Sequence, residues 1–254
     1  MPDVAIVIAL RTAGDLSADT LASIRAQTLA DFECVILCES GAPDTGGDGR
    51  CRAIGAWPGG QAAAWNAGIR ATTAPFIAFL EPEDAWTEGA LQALRSAVGT
   101  QSDVALAFGR RAGLDGQPTP PAPLDRRPSL RRLLRGNPVP ASAALVRRSS
   151  LNVLGFFNET LRAAFDYDLW LRVAHAAPVR ALPDVLARRL RAPRSVDEEL
   201  TLDALARLYL RDEKDWHVPA SLLTAARKDL HRRRALLAPT LLDALPHWWR
   251  SIKS

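Results

Sequence analysis

Two apolar patterns alternate along the first half of the chain. Val4-Ala-Ile-Val-Ile-Ala-Leu10 is an uninterrupted apolar run, short and rich in β-branched residues. That is the pattern of a strand buried on both faces. Asp15 or Ser17 is placed to cap a helix carrying Leu21, Ile24 and Thr28 on one face. Phe32 to Cys38 predicts a second buried strand, and Gly41 to Gly49 a loop rich in Gly, Asp and Pro. Gln61 to Ala71 predicts a helix, and Pro75 to Leu80 a third apolar strand. Strands alternating with helices predict an α/β fold with a mostly parallel, Rossmann-like sheet flanked by helices. Ligands bind such sheets beyond the carboxyl ends of the strands. Here those ends are Leu10-Arg11-Thr12, Glu39-Ser40-Gly41 and Glu81-Pro82-Glu83-Asp84, and polar or acidic residues collect at all three.

A turn over Gly113 to Pro123 separates the halves. A basic helix with Arg126, Arg127, Arg131, Arg132 and Arg135 is expected next, then a strand from Ala143 to Val146 and a turn from Gly155 to Glu159. Asp166 to Ala174 predicts an amphipathic helix with Leu169, Trp170 and Val173 as its stripe. After Ser195 the pattern turns helical, with Leu202, Leu205 and Leu208 at helical spacing. The organisation expected is a domain over 1–195 and a C-terminal helical extension over 196–254.

Composition changes this picture little. The 254 residues are 48% hydrophobic and 24% charged, an ordinary globular balance. No apolar run reaches the length of about 18 residues that a membrane span needs. No basic-then-apolar leader precedes Val4, so a cytoplasmic location is expected. The net charge is +4, and almost all of the positive charge is arginine, since only Lys214, Lys228 and Lys253 are lysines. Arginine forks suit phosphate, but a biased genome gives the same excess. Cys34, Cys38 and Cys51 read as small core residues in a reducing compartment.

Six pieces, in order, resemble the family-2 glycosyltransferases, an inverting group with the GT-A fold, between about Val4 and Ser195. Leu21-x-Ser23-Ile24-x-x-Gln27-Thr28 with Asp31-Phe32-Glu33 is similar to the family's first helix and second strand. Gly60, Ala64, Asn66, Gly68 and Ile69 match its next helix. Phe79-Leu80-Glu81-Pro82-Glu83-Asp84 stands where the family has Phe-Leu-Asp-x-Asp-Asp. Asn137, Arg147, Arg148, Gly155, Phe157 and Glu159 match the arginine and Gly-Gly-Phe-Asp-Glu segment. Asp166-Tyr167-Asp168-Leu169-Trp170-Leu171-Arg172 resembles Glu-Asp-x-Asp-Leu-Trp-Leu-Arg from its second residue on.

The resemblance implies attack by an acceptor hydroxyl on the anomeric carbon of a nucleoside-diphosphate sugar, a UDP-sugar in the first instance. The leaving group needs a cation, usually a divalent metal on the Asp-x-Asp motif. Glu83 with Glu81 is the expected holder of Mg²⁺ or Mn²⁺; the other reading is a solvated acidic turn. Asp166 stands at the family's general-base position, and Asp168 is the second candidate. Phe165 replaces the usual glutamate, which either desolvates Asp166 and raises its pKa or marks a lost site. Leu10 and Arg11 in the first loop, Glu39 at the second strand end, Asn66 and Glu81 are expected around the nucleotide sugar. The family's His-Pro-x-Ser is Ala192-Pro193-Arg194-Ser195 here, so Arg191 or Arg194 is expected to bind the diphosphate directly; a solvated basic loop is the alternative.

The resemblance also implies a glycan or lipid-linked acceptor and a role in surface polysaccharide or glycoconjugate assembly, with no nucleic-acid partner. The basic and aromatic tail, including Pro246-His247-Trp248-Trp249-Arg250, has two readings. It packs on the domain or a partner, or it lies peripherally on the inner membrane face. Altered motifs at Leu10 to Thr12, Ser40, Glu81 with Glu83, and Ala192 keep open a non-catalytic nucleotide-sugar-binding or scaffold protein on the same fold. A nucleotidyltransferase is a weaker third reading, for want of a Gly- and Lys-rich loop after the first strand.

Overall fold

A computed structural model describes residues 1–192 except 56, 58, 100–102, 121–124 and 135, together with Thr224 and Lys228. In chain order the elements are β1 (Val4–Thr12), α1 (Ala18–Arg25), β2 (Phe32–Ser40), β3 (Cys51–Ile54), α2 (Gly60–Arg70), β4 (Phe76–Phe79), β5 (Asp84–Trp86) and α3 (Ala90–Val98). They continue with β6 (Leu106–Ala112), β7 (Pro118–Thr119), α4 (Leu130–Leu133), β8 (Ala144–Arg147), α5 (Arg148–Leu154), α6 (Phe165–Ala176) and β9 (Val179–Arg189). The sheet runs β3-β2-β1-β4-β8-β6-β9-β5, with β7 on β6. The strands β3, β2, β1 and β4 are parallel, as the alternating pattern predicts. Beyond them β8 lies antiparallel between β4 and β6, β9 returns parallel to β6, and β5 closes the edge antiparallel to β9.

The unbroken apolar run of β1 has a direct cause. Ala5 and Val7 face a core with Val35, Leu37, Trp65 and Trp170, under α2 and α6. Val4, Ile6 and Ile8 face the opposite core with Cys34, Ile36, Ile24 and Leu91, under α1 and α3. Both parities are buried because helices cover both faces. Gly68 lets α2 sit close: a Cβ there would lie 2.4 Å from Val7 Cγ1 and 2.9 Å from Leu37 Cδ1. Cys34, Cys38 and Cys51 are buried and free, as expected of core residues.

Several expectations are adjusted. Ser17, not Asp15, caps α1, accepting from the Thr20 backbone N–H at 3.0 Å; Asp15 accepts from Thr12 N–H at 2.8 Å in the turn before it. Thr28 is exposed; Gln27 is the buried residue, and its amide ties Ser23 and Thr87 carbonyls to the Leu91 N–H. The basic helix shrinks to α4, capped by Ser129, and leaves out Arg126 and Arg127; Arg135 lies outside the described residues. α6 is buried around most of its surface rather than on one stripe, with Tyr167, Asp168 and Leu171 as enclosed as Trp170. Among the described residues no helix is long and apolar enough to cross a membrane. The extension over 196–254, its membrane reading, the 195 boundary and Arg194 fall outside the described residues; only Thr224 and Lys228 there are described, both helical.

Candidate functional site

The register of β1 and β2, with Leu10 opposite Cys38 and Thr12 opposite Ser40, sets Arg11 and Glu39 level on adjacent strand ends. Both are exposed, whereas the Leu10 side chain belongs to the core. The acidic segment after β4 is not a solvated turn. Glu81 N–H donates to Ser142 Oγ (3.0 Å), the Thr20 hydroxyl bonds the Pro82 and Asp84 carbonyls, and Leu190 N–H donates to the Glu83 carbonyl (2.7 Å). These bonds turn the chain straight into β5, where Asp84 is 0% exposed.

Strand pairing then delivers cations to these acids. Asp84 stands opposite Arg189 across β5 and β9, and Arg111 of β6 stands opposite Ala187 on the other side of β9. Positions 187 and 189 share a face, so Arg111, Arg189 and Asp84 converge. Arg189 donates from Nε to Asp84 Oδ1 (2.8 Å) and from Nη2 to Glu81 Oε2 (2.7 Å). Arg111 Nη1 donates to Glu81 Oε2 (3.0 Å) and Asp84 Oδ2 (3.3 Å). Burial pushes Glu81 up to about 7, the Asp84 charge adds to this, and Arg189 and Arg111 oppose it. The Glu81 side chain keeps 26% of its surface exposed. Burial pulls the Arg189 guanidinium down, but the Asp84 and Glu81 carboxylates leave it above its ordinary value.

Asp166 sits in the first turn of α6, half-buried, and its Oδ2 accepts from Asn137 Nδ2 at 3.1 Å. Burial raises its pKa, while bonds from the Tyr167 backbone and Asn137 and the charge of Arg111 hold the rise back. The neighbouring Phe165 turns into the core, edge-on to Trp65 and Phe157 with centroids 5.4 and 5.7 Å away. Its ring also lines a cavity of about 610 Å³ with Gly59, Gln61, Glu159, Leu161 and Arg162. The Asp166 charge acts on Glu81 and the Arg111 charge acts on both, which joins the ends of β4, β5 and β6 and the start of α6 in one candidate site.

Other expected site residues serve elsewhere. Asp168 is fully buried; its Oδ2 accepts from Arg172 (2.8 and 3.0 Å), which also donates to the carbonyls of residues 154–156. Asn66 is 1% exposed and both its amide hydrogens are taken, by the Phe157 carbonyl and Glu159, so it braces a turn. Arg191 turns one Nη to the Asp15 carbonyl, and its buried Nε has no partner among the described residues. Sequence reasoning missed Arg111 altogether; the only signal was a pair of arginines, Arg110 and Arg111, ending an apolar run.

The residues present do not fit a divalent metal. Glu81 and Asp84 are already paired with two guanidiniums, leaving the Glu83 carboxylate as the one of the motif without a hydrogen bond among the described residues. No group of three His, Cys, Asp or Glu converges among the described residues. The expected Glu81–Glu83 site for Mg²⁺ or Mn²⁺ is thus replaced at Glu81 by ion pairs.

No protein-family model matches the chain. It is 30% identical over 168 residues to the O-antigen biosynthesis protein RfbC of Myxococcus xanthus, a match covering 62% of this chain and 13% of that protein. Its backbone superposes on S. aureus TarS with a TM-score of 0.72 and 14% identity, over 99% of this chain and 48% of TarS. It also superposes on the mannosyltransferase PcManGT from Pyrobaculum calidifontis, solved with GDP-Man and Mn²⁺, with a TM-score of 0.66 and 16% identity, over 100% of this chain and 76% of that one. The chain therefore spans about half of TarS and a small part of RfbC. The fold is of the GT-A type, like that of the family-2 glycosyltransferases.

Proposed function

We propose that the chain is an inverting glycosyltransferase that moves a sugar from a nucleoside-diphosphate sugar, a UDP-sugar in the first instance, to an acceptor hydroxyl. The observation that carries this reading is Asp166: a carboxylate in the first turn of α6, oriented by Asn137, raised in pKa by burial, and electrostatically joined to the charged cluster beyond β4. In the step proposed, the acceptor oxygen gives its proton to Asp166 and attacks the anomeric carbon. The bond from that carbon to the diphosphate oxygen breaks on the opposite face, and its electron pair leaves with the nucleoside diphosphate. A base with a raised pKa binds the proton more firmly than an ordinary aspartate. Arg11 and Glu39, level at the ends of β1 and β2, are the proposed contacts for base and ribose.

The solved TarS and PcManGT chains carry UDP-GlcNAc and GDP-Man respectively, and RfbC is named for O-antigen biosynthesis. These support a nucleotide-sugar donor, a glycan or lipid-linked acceptor, and a place in surface-polysaccharide assembly. The second reading, a nucleotide-sugar-binding protein without catalysis, is favoured by one observation: the motif that holds metal in relatives is closed by arginines here. A melting screen with UDP-, GDP- and dTDP-sugars tests the donor. One class should raise the melting temperature by mass action, and Asp166→Asn should keep that shift, because the base serves the acceptor. No shift with any donor would end the reading.

A further inference from the structure

The reaction above leaves a problem of charge. A diphosphate leaving group gains negative charge as the glycosidic bond breaks, and something positive has to meet it. At the segment where relatives place acidic metal ligands, this chain has brought two strands together to place arginines instead. Arg111 and Arg189 come from β6 and β9 and converge with Asp84 of β5.

The two arginines differ in what they have left to offer. Arg189 is 10% exposed, and its Nε and Nη2 are both bonded to Asp84 or Glu81. Arg111 is 23% exposed and engages the acids through Nη1 alone among the described residues. Its Nε and Nη2 are thus unengaged by described residues. They form the edge of a guanidinium that pairs two phosphate oxygens in parallel. The same guanidinium lies close enough to Asp166 to hold its carboxyl down. Arg111 is thus the cation that the proposed base and the acidic segment share.

Resting on the glycosyltransferase reading, we propose that Arg111, backed by Arg189, binds the donor's diphosphate directly and neutralises the leaving group without a divalent metal. Glu81 and Asp84 then act as positioning residues, which hold both guanidiniums in place when the site is open. Arg191, expected from the sequence to take this part, is turned to the Asp15 carbonyl. The ligand class is a pyrophosphate ester. Its base is read elsewhere, so the clamp is indifferent to which nucleoside is attached.

The test is isothermal titration of the full chain with inorganic pyrophosphate, UDP and GDP, each in EDTA and in Mn²⁺. Wild type should bind pyrophosphate and one nucleotide in EDTA, with no gain from Mn²⁺. Arg111→Gln should weaken both by about ten- to hundredfold, the worth of one charge-assisted pair, and should leave affinity for the free nucleoside unchanged. Arg111→Lys should recover part of the loss, and carries the comparison if the glutamine variant does not fold. Binding that appears only with Mn²⁺, or wild-type affinity in Arg111→Gln, would overturn the clamp while leaving the nucleotide-sugar reading intact. No binding of pyrophosphate, UDP or GDP in either buffer would overturn the clamp, and if dTDP also fails to bind, the nucleotide-sugar reading falls with it.

Discussion

Replacing Asp84 with Asn removes one charge from the centre of the ion cluster and little volume. The side chain is 0% exposed and accepts three hydrogen bonds, two from Arg189 (2.8 and 3.4 Å) and one from Arg111 (3.3 Å). Removing one partner from a buried ion pair costs about 3–5 kcal/mol, because the other charge is left without compensation. Two features reduce the figure here. Glu81 still reaches both guanidiniums, and Arg111 is 23% exposed, so water screens part of the uncovered charge. The expected loss is thus at the low end, about 3 kcal/mol. For a domain of this length that is a fall in melting temperature of about 6–12 °C. Urea denaturation followed by far-UV circular dichroism measures it: the midpoint should fall and the slope stay unchanged. A loss below about 1 kcal/mol would mean that the cluster is no more than a solvated pair, and the argument that it fills the metal position would fail with it.

Other predictions follow the same geometry. Glu81 is raised to about 7 in the folded chain, so its ionised form is the destabilised one. Its contribution to stability is present below the unfolded value of about 4.3 and is lost as pH rises towards 7. The stability of wild type relative to Glu81→Gln should accordingly fall between about pH 4.3 and 7 in paired urea melts; a rise would contradict the assignment. Gly68→Ala should cost about 1–3 kcal/mol by the same method, since the new methyl meets Val7 and Leu37. Asp168→Asn should lower the melting temperature by breaking the Arg172 brace, yet leave the turnover of the folded fraction unchanged; a turnover loss matching that of an Asp166 variant would make Asp168 the base.

What was legible in the sequence was what physics repeats. The buried runs of β1, β2 and β4 were plain because both faces are covered, so every position is apolar. β6 and β9 were not, since Gly109, Pro183 and several arginines interrupt them. Gly109 opposes a register shift where a Cβ would lie 2.5 Å from Leu186 Cδ1 and 3.0 Å from the Asp184 carbonyl oxygen. Several residues that carry the family resemblance turn out to be braces. Gln27 ties α1 to α3, Asn66 ties α2 to the 157–159 turn, and Arg148 donates to the carbonyls of Ile69 and Ala74. Such residues keep their identity for geometry, so the fold could be recognised while the site had changed. The arginine cluster was hidden because its members lie far apart in sequence, and only the β6-β9-β5 order unites them. Asp166 was singled out by motif position, and burial does raise its pKa, the direction expected there.

The most direct measurement is donor turnover by the full chain, wild type beside Asp166→Asn, across a panel of nucleotide sugars with water as the acceptor and the pH varied. The account predicts measurable release of nucleoside diphosphate by wild type, with an acid limb above the ordinary aspartate value of about 3.9. It also predicts a loss of about a hundredfold or more in the variant at unchanged donor affinity. Equal turnover in the two proteins would contradict Asp166 as the base, and donor binding without turnover in wild type would give the site to the non-catalytic reading.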